Sequence, residues 1–436
     1  MPAKTSIRSL SLAALAIAVC LVCLPVRSIA ESLISYAMAA PAGLERAWFA
    51  QAQVDPSRYH VRNWTLYKDN LLALSSSGAL HSFNAETGET LWVTQVGELN
   101  QSSVGPAAND GHIAVLSGAT LHVLDRSTGK ILWNRGVGGA PAAAPALSEK
   151  YVYVTFLNGR VEAYPLESGN DDPWYSQSIG RIYHSATASG QVVTWPTQRG
   201  FLYVGQANDP RVLYRIETDS PAVAPPTEAD PFLYVVSADG HLYCFNELTG
   251  REKWRYSMGF TAHSRAAAVG DRIYVASTEP MLHALDGTTG ELLWTVPEIE
   301  QFVAQGLKNV YGLDKRGKLV IVDGETGKYV GSLPGDRYKA VFNEQSDRVI
   351  LVNDRGLIQC LHEIDAVEPT YYLKEPAAET TTDETPAADA AAPAVEAAPS
   401  DATVPFEDEP AEDEGESPFS EEGGEDLGNP FSFGEE

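Results

Sequence analysis

The chain has 436 residues, 44% of them hydrophobic, and a formal net charge of −27 at pH 7. That apolar content suffices for a large core, and the charge excludes a basic nucleic-acid footprint. The acidity is concentrated: residues 371–436 hold 20 Asp and Glu against one Lys, a net of −19, which leaves −8 for everything else.

At the N-terminus, Lys4 and Arg8 precede an apolar run from Leu10 to Leu24, then Pro25 and small residues. This is the layout of a secretory signal over residues 1–30, and the run is short for a membrane span. Ser28-Ile29-Ala30 and Ala37-Met38-Ala39 both offer small residues at a cleavage site, so processing is expected after Ala30 or after Ala39. The alternative is a signal retained as an anchor. Either way the protein is expected to be periplasmic or otherwise extracytoplasmic, with no strong membrane insertion once the signal is cleaved. Cys20 and Cys23 lie inside this segment, and Leu24 after them rules out a haem-attachment motif.

Next, LERAWF (44–49) reads as the last strand of a unit that has no beginning. A phrase then recurs along the chain: NAETGETLW (84–92), DRSTGKILW (125–133), NELTGREKW (246–254) and DGTTGELLW (286–294), with degenerate copies PLESGNDDPW (165–174) and DGETGKYVG (323–331). The glycines Gly88, Gly129, Gly169, Gly250, Gly290 and Gly327 are 41, 40, 81, 40 and 37 apart. A period near 40 is the signature of a propeller or solenoid. The doubled gap hides an altered copy, QANDPRVLY (206–214), with Tyr214 in the place of Trp.

Each phrase is preceded by an alternating run such as LHSF (80–83) or LYCF (242–245), which reads as a strand with two different faces. Asn or Asp can then bond its own downstream backbone, and Gly closes the turn. A second turn lies upstream (SSG at 76–78, ADG at 238–240), and two further strands fit before it. Four strands per repeat make one propeller blade. The eighth unit, with RVILV (348–352) and LIQCLHEID (357–365), lacks a Trp strand. Residues 44–49 are expected to supply it and close an eight-bladed ring over 43–370, with seven blades as the alternative count. Cys244 and Cys360 fall at matching inner-strand positions three blades apart and are read as small buried hydrophobes.

From residue 371 onward the composition turns to Ala, Pro, Thr, Glu and Asp, which predicts disorder over 371–436. Within it Phe406, Phe419 and Phe431 each follow a Pro and stand near acids, making them candidate docking residues.

The phrase resembles the PQQ-type propeller repeat, with good or partial copies over roughly residues 43–370. Length, signal, eight units and the N-terminal closing strand are similar to the branch of that family that serves outer-membrane protein assembly. The resemblance implies a non-enzymatic scaffold that binds protein partners through its loops, without a cofactor. Members of that branch are lipoproteins, and Val19 and Val22 ahead of Cys20 and Cys23 fit a lipid-attachment site poorly. The other branch comprises dehydrogenases that hold pyrroloquinoline quinone and Ca²⁺ on the propeller axis. Their adjacent cysteine pair has no counterpart here, and their long insertions are missing from these near-minimal blades.

Trp92, Trp133, Trp174, Trp254 and Trp294 recur at one blade position and are expected to wedge between neighbouring blades. His81, His122 and His283 share a third-strand position away from the axis, which suits packing better than metal ligation. The axial funnel is expected to be rimmed by Arg62, Gln101, His184, His263, Arg265, Gln301 and Arg337, a mixed polar set suited to protein docking. No nucleophile elbow, phosphate-binding glycine loop or metal spacing is present.

Overall fold

Eight four-stranded antiparallel sheets make up the computed structural model, which describes residues 33–99, 101–334 and 338–372. Seven sheets take their strands in chain order, over 61–95, 103–136, 146–177, 187–217, 227–257, 267–297 and 301–333. From blade one to blade six the first strands pack beside one another at the inside of the ring. The eighth sheet runs Lys339–Ala340, Val349–Val352, Leu357–Glu363 and then Leu44–Gln51 from the N-terminus. Leu44 stands opposite Glu363 and Gln51 opposite Leu357, with a register shift between Arg46 and Trp48. The ring is therefore an eight-bladed β-propeller, closed as the incomplete ends of the repeat array require.

Burial differs by strand. In Asn70–Ser75 every residue is buried, and Leu80, His81, Ser82 and Phe83 in the next strand are all at most 1% exposed. The two faces of these middle strands do differ, as the alternation suggests, but each packs on a different neighbouring blade and neither meets solvent. Outer strands such as Glu252–Ser257 alternate between exposed and half-buried residues. Cys244 and Cys360 are buried and free, at matching positions on the third strand rather than the inner one. Cys244 faces Trp254 across the ladder and Cys360 faces Trp48.

The phrase folds as an Asx turn. Asp125 Oδ1 accepts the Thr128 N–H at 2.8 Å and its hydroxyl at 2.7 Å, and Gly129 (φ +69°) returns its N–H to the Asp125 carbonyl. The tryptophan from the preceding blade then lies on that glycine. Trp48 sits against Gly88, Trp92 against Gly129, Trp133 against Gly169, Trp254 against Gly290 and Trp294 against Gly327. The indole N–H groups donate to carbonyls of the next blade: Trp133 to Leu166 at 2.9 Å, Trp254 to Gly287 at 3.1 Å, Trp294 to Gly324 at 2.9 Å. Tyr214 does the same with its hydroxyl on the Glu247 carbonyl and its ring on Gly250. Trp174 joins a cluster with Ala207, in the copy that has no glycine.

Both chain ends add to the closure. Ahead of Leu44, a helical turn (Tyr36–Ala39) and a 3-10 turn (Ala40–Ala42) pack between blades seven and eight. After Glu363, residues 364–372 form a strap. Buried Arg348 donates to the Ala366 and Val367 carbonyls at 2.8 Å each and to Glu86 of blade one at 3.0 Å. Asp347, 1% exposed, lies 3.3 Å from the same guanidinium, and its pKa is raised by burial. Gln345 reaches across to blade one, accepting from the Lys68 N–H and donating to the Leu66 carbonyl.

Candidate interaction face

Strand direction sorts the connections onto two faces. One carries the loops that enter the inner strands and the turns between second and third strands. The other carries the turns between first and second strands and the Asx turns. Hydrogen bonds from one blade to the backbone at or just ahead of the next blade's inner strand hold the entry loops in place. Asn63 Nδ2 donates to Gly105 O at 2.7 Å, the Thr155 hydroxyl to His184 O at 3.1 Å, Thr187 to Pro226 O at 2.9 Å and Thr227 to Ala266 O at 2.6 Å. Loops on such a scaffold are positioned well enough to present a defined surface.

The residues expected at the funnel rim lie on or beside these entry loops, but they do not form one cluster. Arg62 is exposed and bonds Ser102 of the next blade at 3.1 Å. Gln101 is exposed beside Glu98, and His263 is exposed. His184 is half-buried, and burial holds its pKa below the ordinary value. Gln301 is half-buried at the start of an inner strand. Arg265 turns inward. Its guanidinium lies 4.5 Å from the Phe342 ring centre and 2.7 Å from Glu344, both on blade eight. It therefore braces blade six to blade eight instead of standing free at the rim. Arg337, Phe406, Phe419, Phe431 and the signal segment lie outside the described residues.

The polar pattern missed apolar side chains on the same face. Leu99, Leu157, Ile179, Tyr183 and Phe260 are all exposed, in entry loops or second-to-third turns, and Arg181 and Arg199 stand exposed near Ile179 and Tyr183 in sequence or turn. Their signal in the sequence was large apolar residues placed in turns where solvation favours polar ones.

His81, His122 and His283 belong to blades one, two and six, so nothing brings them together. Burial lowers the pKa of each. The His81 ring stacks on Phe83, and the Tyr256 hydroxyl lies 3.1 Å from His283 Nδ1. Among the described residues, no group of three His, Cys, Asp or Glu is arranged to hold a metal ion. A groove of about 280 Å³ between blades six and seven is lined by Thr295, Asp314, Lys318 and Tyr329, and belongs to the blade junction beside Gly327.

A closed ring of eight four-stranded blades, joined by Trp-on-Gly contacts from a recurrent Asx-turn phrase, defines a PQQ-repeat propeller. The chain belongs to the family described as outer membrane protein assembly factor BamB, whose model matches residues 76–189, 173–297 and 257–330. Among solved structures it is similar to BamB from Moraxella catarrhalis, at 16% identity and a TM-score of 0.59, over 73% of this chain and 99% of that one. It is also similar to the computationally designed Ika8 protein, at 14% identity and a TM-score of 0.57, over the same shares. At these identities the likeness establishes the fold. No curated protein sequence matches significantly. Among the described residues no helix is long and apolar enough to cross a membrane.

Proposed function

We propose that the protein is a non-catalytic scaffold of the cell envelope that binds protein partners through its entry-loop face, in the manner of a BamB-family propeller. The observation that carries this reading is the apolar set Leu99, Leu157, Ile179, Tyr183 and Phe260 exposed on loops anchored by inter-blade hydrogen bonds, with exposed Arg62, Arg181 and Arg199 on the same face. Aromatic and aliphatic anchors beside arginine are the composition of protein-binding hot spots. Family membership adds outer-membrane protein assembly as the process served, and the N-terminal signal adds an extracytoplasmic location. The acidic tail supplies a second contact, in which Phe406, Phe419 and Phe431 dock on a basic partner surface.

Immobilised protein should retain a defined set of envelope proteins. Leu157→Glu combined with Tyr183→Glu should abolish that retention, while Lys308→Glu on the opposite face leaves it intact. Replacing the three tail phenylalanines by Ala should weaken retention at unchanged charge. Retention indifferent to the face variants, or dye reduction by protein supplied with pyrroloquinoline quinone and Ca²⁺, would replace this reading with another.

A further inference from the structure

Seven of the eight blade junctions receive an aromatic side chain from the outer strand of the preceding blade: Trp48, Trp92, Trp133, Trp174, Tyr214, Trp254 and Trp294. At the junction of blades seven and eight the same position holds Gly331. The atom nearest to where a β-carbon at Gly331 would stand is the Ala42 β-carbon, at 3.9 Å. The missing indole is thus replaced by the chain ahead of Leu44. Ile34 is 2% exposed and Ala39 0%, in a cluster with Val303, Ile321 and Leu333 of blade seven and Val349 and Leu361 of blade eight. Polar contacts fix the segment as well. The Ile34 N–H donates to Oε1 of fully buried Gln359 at 2.8 Å, and Arg46 donates to the Ile34 carbonyl at 2.8 Å.

This arrangement separates the two processing sites that the sequence leaves open. Cleavage after Ala39 removes Ile34, opens a void in a two-blade core and strips buried Gln359 Oε1 of its donor. Both changes are unfavourable in a packed interior. Cleavage after Ala30 keeps the whole wedge, and Ser28 and Ala30 give that bond the small residues a signal-processing peptidase needs. We propose that residues 34–42 are a structural wedge of the mature protein and that export processing cuts the Ala30–Glu31 bond. Water adds across that peptide bond, so Ala30 leaves with a new carboxylate and Glu31 keeps a new amine.

The inference rests on the extracytoplasmic reading, and one experiment separates the two. The full-length precursor is expressed in a bacterium with two membranes, fractionated, and its N-terminus determined by mass spectrometry. An envelope-fraction protein beginning at Glu31 is expected, with Ala30→Trp accumulating as precursor. A mature chain beginning at Ala40 overturns the wedge proposal and leaves export intact, as does normal processing of Ala30→Trp. An uncut chain held in the envelope overturns the processing site alone, and one held in the cytoplasm overturns export as well. In the exported protein Ile34→Ala should lower Tm by several degrees, and an unchanged Tm overturns the wedge.

Discussion

Trp92 lies flat over Gly129 of the following blade and donates its indole N–H to the Arg126 carbonyl at 3.0 Å. A β-carbon on Gly129 would stand 2.4 Å from that ring, and the glycine already holds φ at +69°. The two residues are therefore one device, repeated around the ring: the turn needs glycine for its own backbone, and the close approach of the indole needs it again.

Gly129→Ala should thus cost about 2–4 kcal/mol, more than a positive φ alone explains. Combined with Trp92→Ala, the same change should cost less than the sum of the two single losses, because the clash is gone. Trp133→Ala and Trp254→Ala, both half-buried between blades, should each cost about 2–4 kcal/mol, at or below the low end for a fully buried aromatic. Equilibrium denaturation of the five variants measures all of this, and strict additivity at the Trp92–Gly129 pair would contradict the contact.

Restoring the repeat at Gly331 should be harmful. Gly331→Trp gives blade seven the residue found in its neighbours, yet Ala42 and Ile34 already occupy the junction. Overpacking of this kind costs about 1–3 kcal/mol. A higher Tm for Gly331→Trp would show that the N-terminal segment is easily displaced.

Arg348→Met should lower stability by about 3–5 kcal/mol, the usual consequence of removing one partner from a buried charge cluster. It leaves the Ala366 and Val367 carbonyls without their donor and Asp347 and Glu86 without their cation. Protease cleavage near residues 364–372 should accelerate in this variant. Digestion at the wild-type rate would separate the strap from Arg348.

Glu247 gives a prediction for pH. Burial, with Asp230 nearby, raises its carboxyl from the ordinary 4.5 to about 7. The folded state therefore binds more protons than the unfolded state between those values, so this group lowers stability as pH rises through that window. Glu247→Gln should raise Tm relative to wild type at pH 8 and change it little at pH 4.5. An equal shift at both values would mean that packing, not ionisation, is responsible.

The blades were legible because the Asx turn, its glycine and the following tryptophan are all demanded by backbone geometry and close packing, and so recur as letters. The closing strand was legible through Trp48, the same letter at the wrong end of the chain. Its companions were not. Residues 34–42 carry none of the repeat's letters, and in sequence they merge with the segment expected to be a secretory signal. Arg348 bonds carbonyls, which any residue provides, so nothing at Ala366 or Val367 announces the strap. The repeat pattern let Arg62, Gln101 and His263 be assigned to the start of an inner strand or the loop before it, but only side-chain geometry shows Arg265 folding onto Phe342.

The pairing of Leu44 with Glu363 sets how the molecule bears load. The two strands meet with the incoming and outgoing ends of the chain at the same edge of the ladder, so tension on both termini would open the hydrogen bonds one at a time, like a zipper, instead of shearing them together. Forced opening is governed by the unfolding barrier and not by total stability. On the outgoing side the Arg348 clamp sits where such a zipper would start, and on the incoming side tension would reach the Ile34–Gln359 bond before the ladder itself. They act as stitches on the two stretches of chain that leave this seam.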